Sequence, residues 1–169
     1  MADRQEFAGI ARERASAWRR TAFLMCGDWA AAEDIVQVTL VRLYKQWNRL
    51  DAAGIDAYTR RVMSRLAIDE ARRPHRRAEV LIPPPEHPVP AVCSADGIDV
   101  RAALDRLAPR QRAVLVLRFY CDLTVSQTAV ALRITEGTVK SQTARALTTL
   151  RASLPAASVS TPTTERLLP

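Results

Sequence analysis

Five prolines between positions 83 and 90 decide how this chain can fold. Pro83, Pro84, Pro85, Pro88 and Pro90 each fix φ and lack an amide hydrogen, which excludes a helix there and favours an extended path. The change of character runs from Ala78 to Gly97, and these 20 residues read as a linker. At the maximal rise per residue they reach roughly 65 Å, enough to separate two modules that bind distinct sites. The 169 residues therefore divide into a first module, 1–77, the linker, 78–97, a second module, 98–154, and a tail, 155–169, whose Ser, Thr and Pro content predicts disorder. No internal repeat is evident.

Both modules carry helical spacing. The pattern predicts a first helix over Glu6 to Met25, with Phe7, Ile10, Ala11, Ala17, Trp18, Thr21 and Leu24 as its apolar face, stopped by Gly27-Asp28. Asp28 can cap a second helix, Trp29 to Leu50, whose Val36, Leu40, Leu43, Trp47 and Leu50 form one inward stripe. Opposite that stripe fall Asp34, Gln37, Val38, Val41 and Lys45. Branched apolar residues beside a carboxylate, an amide and an amine have the composition of a protein interface, though scattered surface valines give the same pattern.

After a loop, Asp51 to Ile55, Asp56 reads as the cap of a third helix that Pro74 stops near Arg73. Val62, Met63 and Leu66 make its inner face. Arg61, Arg65 and Arg72 share the other face with Ile68, with Tyr58 at its margin, while Arg60, Arg73, Arg76 and Arg77 extend the positive field. Arginines beside an aromatic ring can neutralise phosphates while the ring stacks on a base, as single-strand binders require. Asp69 and Glu70 are the only acids nearby, so a merely solvated charged face is the weaker reading.

Beyond the linker, Ile98 to Leu107 reads as a helix. Pro109 suits the opening of another, which continues over Arg112 to Cys121 through Val114, Leu115, Leu117 and Phe119. Leu123 to Leu132 comes next, capped by Thr124 and packed by Val125, Ala129, Val130 and Leu132, and Arg133 and Ile134 turn the chain. In the final helix, Thr135 to Leu150, Val139, Ala146, Leu147 and Leu150 share the buried face with Thr143. Thr138, Ser141, Arg145 and Thr148 line the outward stripe, and Lys140 and Gln142 stand beside it. Thr135 can accept from free first-turn amides, and Glu136 favours the positive end of the helix dipole. Two short helices joined this way form the helix-turn-helix pattern, in which side chains near the start of the second helix reach base edges. An ordinary helical hairpin with a solvated outer face has the same outline.

The formal charge of +7 favours an anionic partner without choosing between nucleic acid and membrane. No apolar run approaches the roughly 20 residues of a membrane span, and Met1 to Glu6 lacks a secretion signal's layout, so the expectation is a cytoplasmic protein without a membrane partner. Cys26, Cys93 and Cys121 are widely spaced and odd in number, and read as small apolar residues rather than a disulfide or zinc framework. His75 and His87 stand among Arg and Pro. No metal or other cofactor is expected.

These residues resemble the group IV, or extracytoplasmic-function, sigma factors of bacterial RNA polymerase. Ala32-Glu33-Asp34-Ile35-Val36-Gln37 is similar to the family's signature in region two, and Leu66-Ala67-Ile68-Asp69-Glu70-Ala71-Arg72-Arg73 to the end of its promoter-melting helix. Leu107-Ala108-Pro109-Arg110-Gln111-Arg112, Leu117-Arg118-Phe119 and Gly137-Thr138-Val139-Lys140-Ser141 resemble region four. Arg20-Thr21-Ala22-Phe23 before Gly27-Asp28, with Ala57-Tyr58-Thr59-Arg60-Arg61-Val62, is similar to an actinobacterial subgroup.

The resemblance implies an all-α fold of two small helical domains, a region 2 bundle and a region 4 helix-turn-helix, and a role in promoter-directed initiation without catalysis. Asp34, Gln37, Val38 and Val41 would then dock on the clamp helices of the largest subunit of core RNA polymerase. Tyr58, Arg61, Arg65, Arg72 and Arg73 would hold the melted minus-ten strand of promoter DNA. Thr138, Lys140, Ser141, Gln142 and Arg145 would meet the minus-thirty-five duplex, Lys140 as a phosphate contact. An anti-sigma factor is a further partner class that the family brings, and no residue pattern here identifies one. The chain departs from the family at Arg65, where Asn is usual, at Tyr58 (Trp or a similar residue), at Gln127 (Glu) and at Arg133 (Gly).

Two other readings compete. A helix-turn-helix regulator that never joins polymerase shares the last two helices, but such regulators carry an α/β receiver or ligand-binding domain upstream, and the first 76 residues read as three helices. A nucleic-acid enzyme using Glu33 and Asp34 as paired carboxylates suffers because adjacent helical residues point about 100° apart and no His or second acidic pair joins them.

Overall fold

A computed structural model describes residues 2–73 and 102–153. The proline-rich linker, the tail, His75, His87 and Cys93 lie outside these residues. Those described form helices and turns with no strand among them: α1 (Ala2–Cys26), α2 (Trp29–Tyr44), α3 (Ala52–Ala71), α4 (Pro109–Leu115), α5 (Val125–Leu132) and α6 (Glu136–Ser153). Residues 102–105 are also helical.

α1 begins before Glu6 and buries Trp18, Ala22 and Met25. It stops where Gly27 adopts φ 82°, a left-handed conformation that costs glycine little. Asp28 then caps α2, its carboxylate accepting the Ala31 amide at 2.6 Å.

The second helix is shorter than its apolar stripe predicts. It ends at Tyr44, and Trp47–Arg49 wind as a separate 3₁₀ turn. Leu43 and Trp47 are still buried and Leu50 still packs on the core, so their spacing suits either winding and periodicity could not separate the two. The tight turn seats Trp47 against Phe7, ring centroids 5.2 Å apart and nearly perpendicular, with Tyr44 on Phe7 at 5.0 Å. This tertiary contact replaces the expected helical run.

The cap of α3 is Asp51 rather than Asp56. Asp51 Oδ1 accepts the Gly54 amide at 2.7 Å, which turns the expected loop into the first helical turn. A Cβ on Gly54 would lie 2.9 Å from that oxygen, so glycine permits the cap. Asp56 instead pairs with Arg14 and ties α3 to α1.

In the second half Pro109 opens α4, and the Gln111 side chain accepts the Ala108 amide at 3.3 Å. The chain then widens into a π-helical turn, Val116–Tyr120, that closes at Asp122 with φ 53°. The extra residue per turn rotates the side chains beyond it around the helix axis. Phe119, expected inside, is 62 % exposed. Val130, also expected to pack, is 68 % exposed; α5 buries Thr128, Ala129 and Ala131 instead, and the Thr128 hydroxyl is satisfied by the Thr124 carbonyl at 2.9 Å.

α4 packs on α1 and α3, and α5 packs on α3, so a single apolar core crosses both halves. Trp18, Met25, Leu43 and Met63 belong to it from one side and Ala113, Leu117, Leu123 and Ala131 from the other. Two smaller cores are confined to the second half, Leu107, Leu115 and Ala146 in one, Val114, Ala129 and Val139 in the other, and they seat α6. Cys26 and Cys121 pack against the shared core. Burial pushes the Cys26 thiol up to about 11, with Asp28 and Glu70 adding to the rise, and burial raises Cys121 as well. Both stay protonated at neutral pH, as small apolar residues would.

Candidate nucleic-acid interface

The turn between α5 and α6 is built from local bonds. Thr124 and Gln127 form a reciprocal cap at the start of α5: the Thr124 hydroxyl accepts the Gln127 amide at 3.1 Å and the Gln127 side chain accepts the Thr124 amide at 2.9 Å. Gln127 thus makes the bond that Glu makes in such a box. Arg133 ends α5 at φ 54°, ψ 49°, the left-handed geometry expected where glycine is usual. Arg133→Gly should therefore stabilise the protein by about 0.5 kcal/mol, strain relief outweighing glycine's added chain entropy. A rise in thermal midpoint of about 2 °C would register it, and a fall would show that the arginine side chain makes a compensating contact.

α6 starts with the Thr135 hydroxyl accepting the Thr138 amide at 3.1 Å and sharing a hydrogen bond with the Thr138 hydroxyl at 2.8 Å. Val139 and Ala146 are fully buried, which fixes the rotation of the helix. Lys140, Ser141 and Arg145 are consequently exposed, and Thr138 and Gln142 are half-buried. The Ser141 hydroxyl donates to the Thr138 carbonyl at 3.0 Å and that of Thr148 to Ala144 at 3.0 Å, leaving their lone pairs outward.

On α3 the burial of Val62, Met63 and Ala67 turns Arg65 and Arg72 to solvent. Tyr58 and Arg61 are half-buried, with the Arg61 guanidinium 5.3 Å from the centre of the Tyr58 ring. Arg73 is exposed, but its Nη1 lies 3.1 Å from Glu70, so part of its charge is already matched.

On α2 the segment Ala32 to Gln37 divides by function within one turn and a half. Ala32, Ile35 and Val36 are buried. Glu33 binds Arg19 of α1, Nε to Oε2 at 2.5 Å, and accepts from the Gln37 side chain at 3.1 Å. Glu33 therefore fastens α2 to α1 and positions Gln37, a use unlike that of one half of a carboxylate pair. Asp34 and Gln37 are exposed, beside Val38 at 41 % and Val41 at 57 % exposure. Tyr44, three residues beyond Val41 and 46 % exposed, extends the same apolar patch. Sequence reasoning missed it, although the i, i+3 step from Val41 was there to be used. The three groups lie on three helices, and no described contact joins α2's patch to α6's stripe.

Among the described residues no cluster of His, Cys, Asp and Glu is arranged to hold a metal, and no helix is long and apolar enough to cross a membrane.

Comparison with known proteins is consistent across three lines. Residues 10–77 match the family described as Sigma-70 region 2, and residues 103–152 that described as Sigma-70, region 4. An RNA polymerase sigma-E factor of Streptomyces avermitilis is 36% identical over 157 residues, covering 88% of this chain and 85% of the relative. The ECF RNA polymerase sigma factor SigL of Mycobacterium tuberculosis is 35% identical over 156 residues, covering 84% and 85%. Among solved structures, the sigma factor RpoE of Bartonella quintana, crystallised with the anti-sigma factor NepR, gives a TM-score of 0.71 at 21% identity over 90% of this chain and 99% of that one. CnrH in complex with the cytosolic domain of CnrY gives 0.66 at 20% identity over 88% and 87%. At those identities the two structures establish the fold.

Proposed function

The chain belongs to the extracytoplasmic-function sigma factors, and from that premise we propose that it binds bacterial core RNA polymerase and directs initiation at specific promoters. One observation carries this reading over that of a free-standing helix-turn-helix regulator. α2 is buried along one side yet presents Val38 and Val41 to solvent between Asp34 and Gln37, a surface that a duplex-binding regulator has no use for. We assign it to the clamp helices of the largest polymerase subunit.

The two cationic helices then divide the promoter. Thr138, Ser141 and Arg145 face the minus-thirty-five groove, with Lys140 on a phosphate and Gln142 at the edge of the contact. Tyr58, Arg61, Arg65, Arg72 and Arg73 hold the non-template strand of the minus-ten element. No bond is made or broken. Stacking worth roughly 1–3 kcal/mol per base, with phosphate neutralisation, offsets the cost of unpairing. Thr138 commits its amide and hydroxyl to the helix cap, so Ser141 and Arg145 are the stronger base-reading candidates. A regulatory partner of the anti-sigma class, the class of protein crystallised with the Bartonella sigma factor, belongs to this reading, and the site of action is the cytoplasm.

Run-off transcription with core polymerase and a promoter library tests the assignment. Addition of the protein should produce transcripts from defined start sites. Specific duplex binding by the protein alone, with no association with core polymerase, would return the reading to a conventional regulator.

A further inference from the structure

The exposed face of α2 takes part of its polar chemistry from a residue on another helix. Between Asp34 and Val41 the exposed side chains are Asp34, Gln37, Val38 and Val41, at the spacing of one helical face. Glu33 stands one position off that face, half-buried against α1. Its carboxylate meets the Arg19 guanidinium at both oxygens: Arg19 Nη2 donates to Oε1 at 3.3 Å, and Nε lies 2.5 Å from Oε2. The two side chains are 32 % and 42 % exposed, so the pair adds little to folding stability. What it adds is geometry, because two contacts from a planar fork fix where the carboxylate points.

Glu33 Oε1 also accepts from Gln37 Nε2 at 3.1 Å. An ionised carboxylate offers acceptors only, so the Gln37 amide must turn its nitrogen toward it. The carbonyl oxygen of Gln37 is then the end left for a partner. Asp34, exposed beside it, contributes a carboxylate. This end of the face therefore presents acceptors and branched apolar groups and no side-chain donor. An amide free to flip would meet a donor or an acceptor equally well; this one is set. An acceptor covered without a donor is costly, so a partner that covers Gln37 has to bring one.

We infer that Arg19 is a positioning residue for polymerase docking: acting through Glu33, it holds Gln37 with its carbonyl outward, and the polymerase surface that meets Gln37 supplies a hydrogen-bond donor. The inference rests on the docking function proposed above. It adds the polarity of the contact and a residue outside α2 that sets it.

Fluorescence anisotropy of the labelled full chain titrated with core polymerase, run as a double-mutant cycle, tests both parts. Gln37→Met keeps the length of the side chain and removes its acceptor, leaving the polymerase donor unpaired, and should weaken binding about tenfold. Arg19→Met keeps an aliphatic stem and removes the guanidinium. With the lock gone, Gln37 spreads over about three staggered positions, and a competent fraction of about one third weakens binding about threefold. In the Gln37→Met background the loss from Arg19→Met should vanish, because no amide remains to be oriented. Glu33→Ala removes the same lock from its other side and should repeat the pattern, which decides the matter where Arg19→Met fails to fold. Helical circular dichroism establishes that each variant is folded.

An ion pair with a structural role alone gives a different result, a threefold loss that persists in the Gln37→Met background. That outcome overturns the positioning role, and Gln37→Met binding as tightly as wild type overturns the donor; either leaves docking itself standing. A wild type that does not bind core polymerase refutes the docking function, and this inference with it.

Discussion

Val41→Asp is expected to weaken association with core polymerase about 100-fold while leaving the fold untouched. Val41 is 57 % exposed in the free chain, so the substitution removes little buried area and should change folding stability by no more than about 0.5 kcal/mol. In the proposed complex the same position would become the centre of an apolar contact between Val38 and Tyr44. A carboxylate there must be desolvated without a partner, a penalty of about 3 kcal/mol at interface centres, which corresponds to about two decades in Kd. Fluorescence anisotropy of the labelled protein titrated with core polymerase reads the effect. Asp34→Ala, at the rim of the patch, should cost less than tenfold. Equal binding by Val41→Asp and wild type would remove α2 from the docking face.

Features legible in the sequence and features hidden from it separate along physical lines. Local chemistry was legible. The Thr124 cap, the left-handed Arg133, the Thr135 cap and the Asp28 cap each depend on residues within four positions of one another, and each is present. The outward stripes of α2 and α6 come from helical period alone, because burial of Val36 and Leu43, or of Val139 and Ala146, fixes the rotation of the helix.

Winding was not legible. Leu43, Trp47 and Leu50 fit a helix or a 3₁₀ turn equally well, and nothing near Val116 marks the π-helical turn that sends Phe119 outward. The choice between Asp51 and Asp56 as cap was settled by a tertiary contact, the pairing of Asp56 with Arg14, forty-two residues distant in sequence. The core that crosses both halves was the least accessible of all. An apolar stripe states that a face is covered and is silent about what covers it.

Leu117→Ala turns that shared core into a measurement. Leu117 is fully buried in the cluster that contains Trp18 and Trp47 of the other half. Truncation should cost about 2–5 kcal/mol through lost transfer energy and the cavity left behind, lowering the thermal midpoint by about 10 °C. All 3 tryptophans of the chain, Trp18, Trp29 and Trp47, lie in the N-terminal half, whereas the substitution lies in the C-terminal half. Were the two halves independent beads on a linker, tryptophan fluorescence would melt at the wild-type midpoint while part of the circular dichroism was lost early. Because Leu117 packs against the same cluster as Trp18 and Met25, fluorescence and circular dichroism should fall together at the lowered midpoint, as a single cooperative transition requires. Coincident curves bind the two halves into one folding unit in the free protein; curves that separate, with an unmoved fluorescence midpoint, would confine Leu117 to the energetics of its own half.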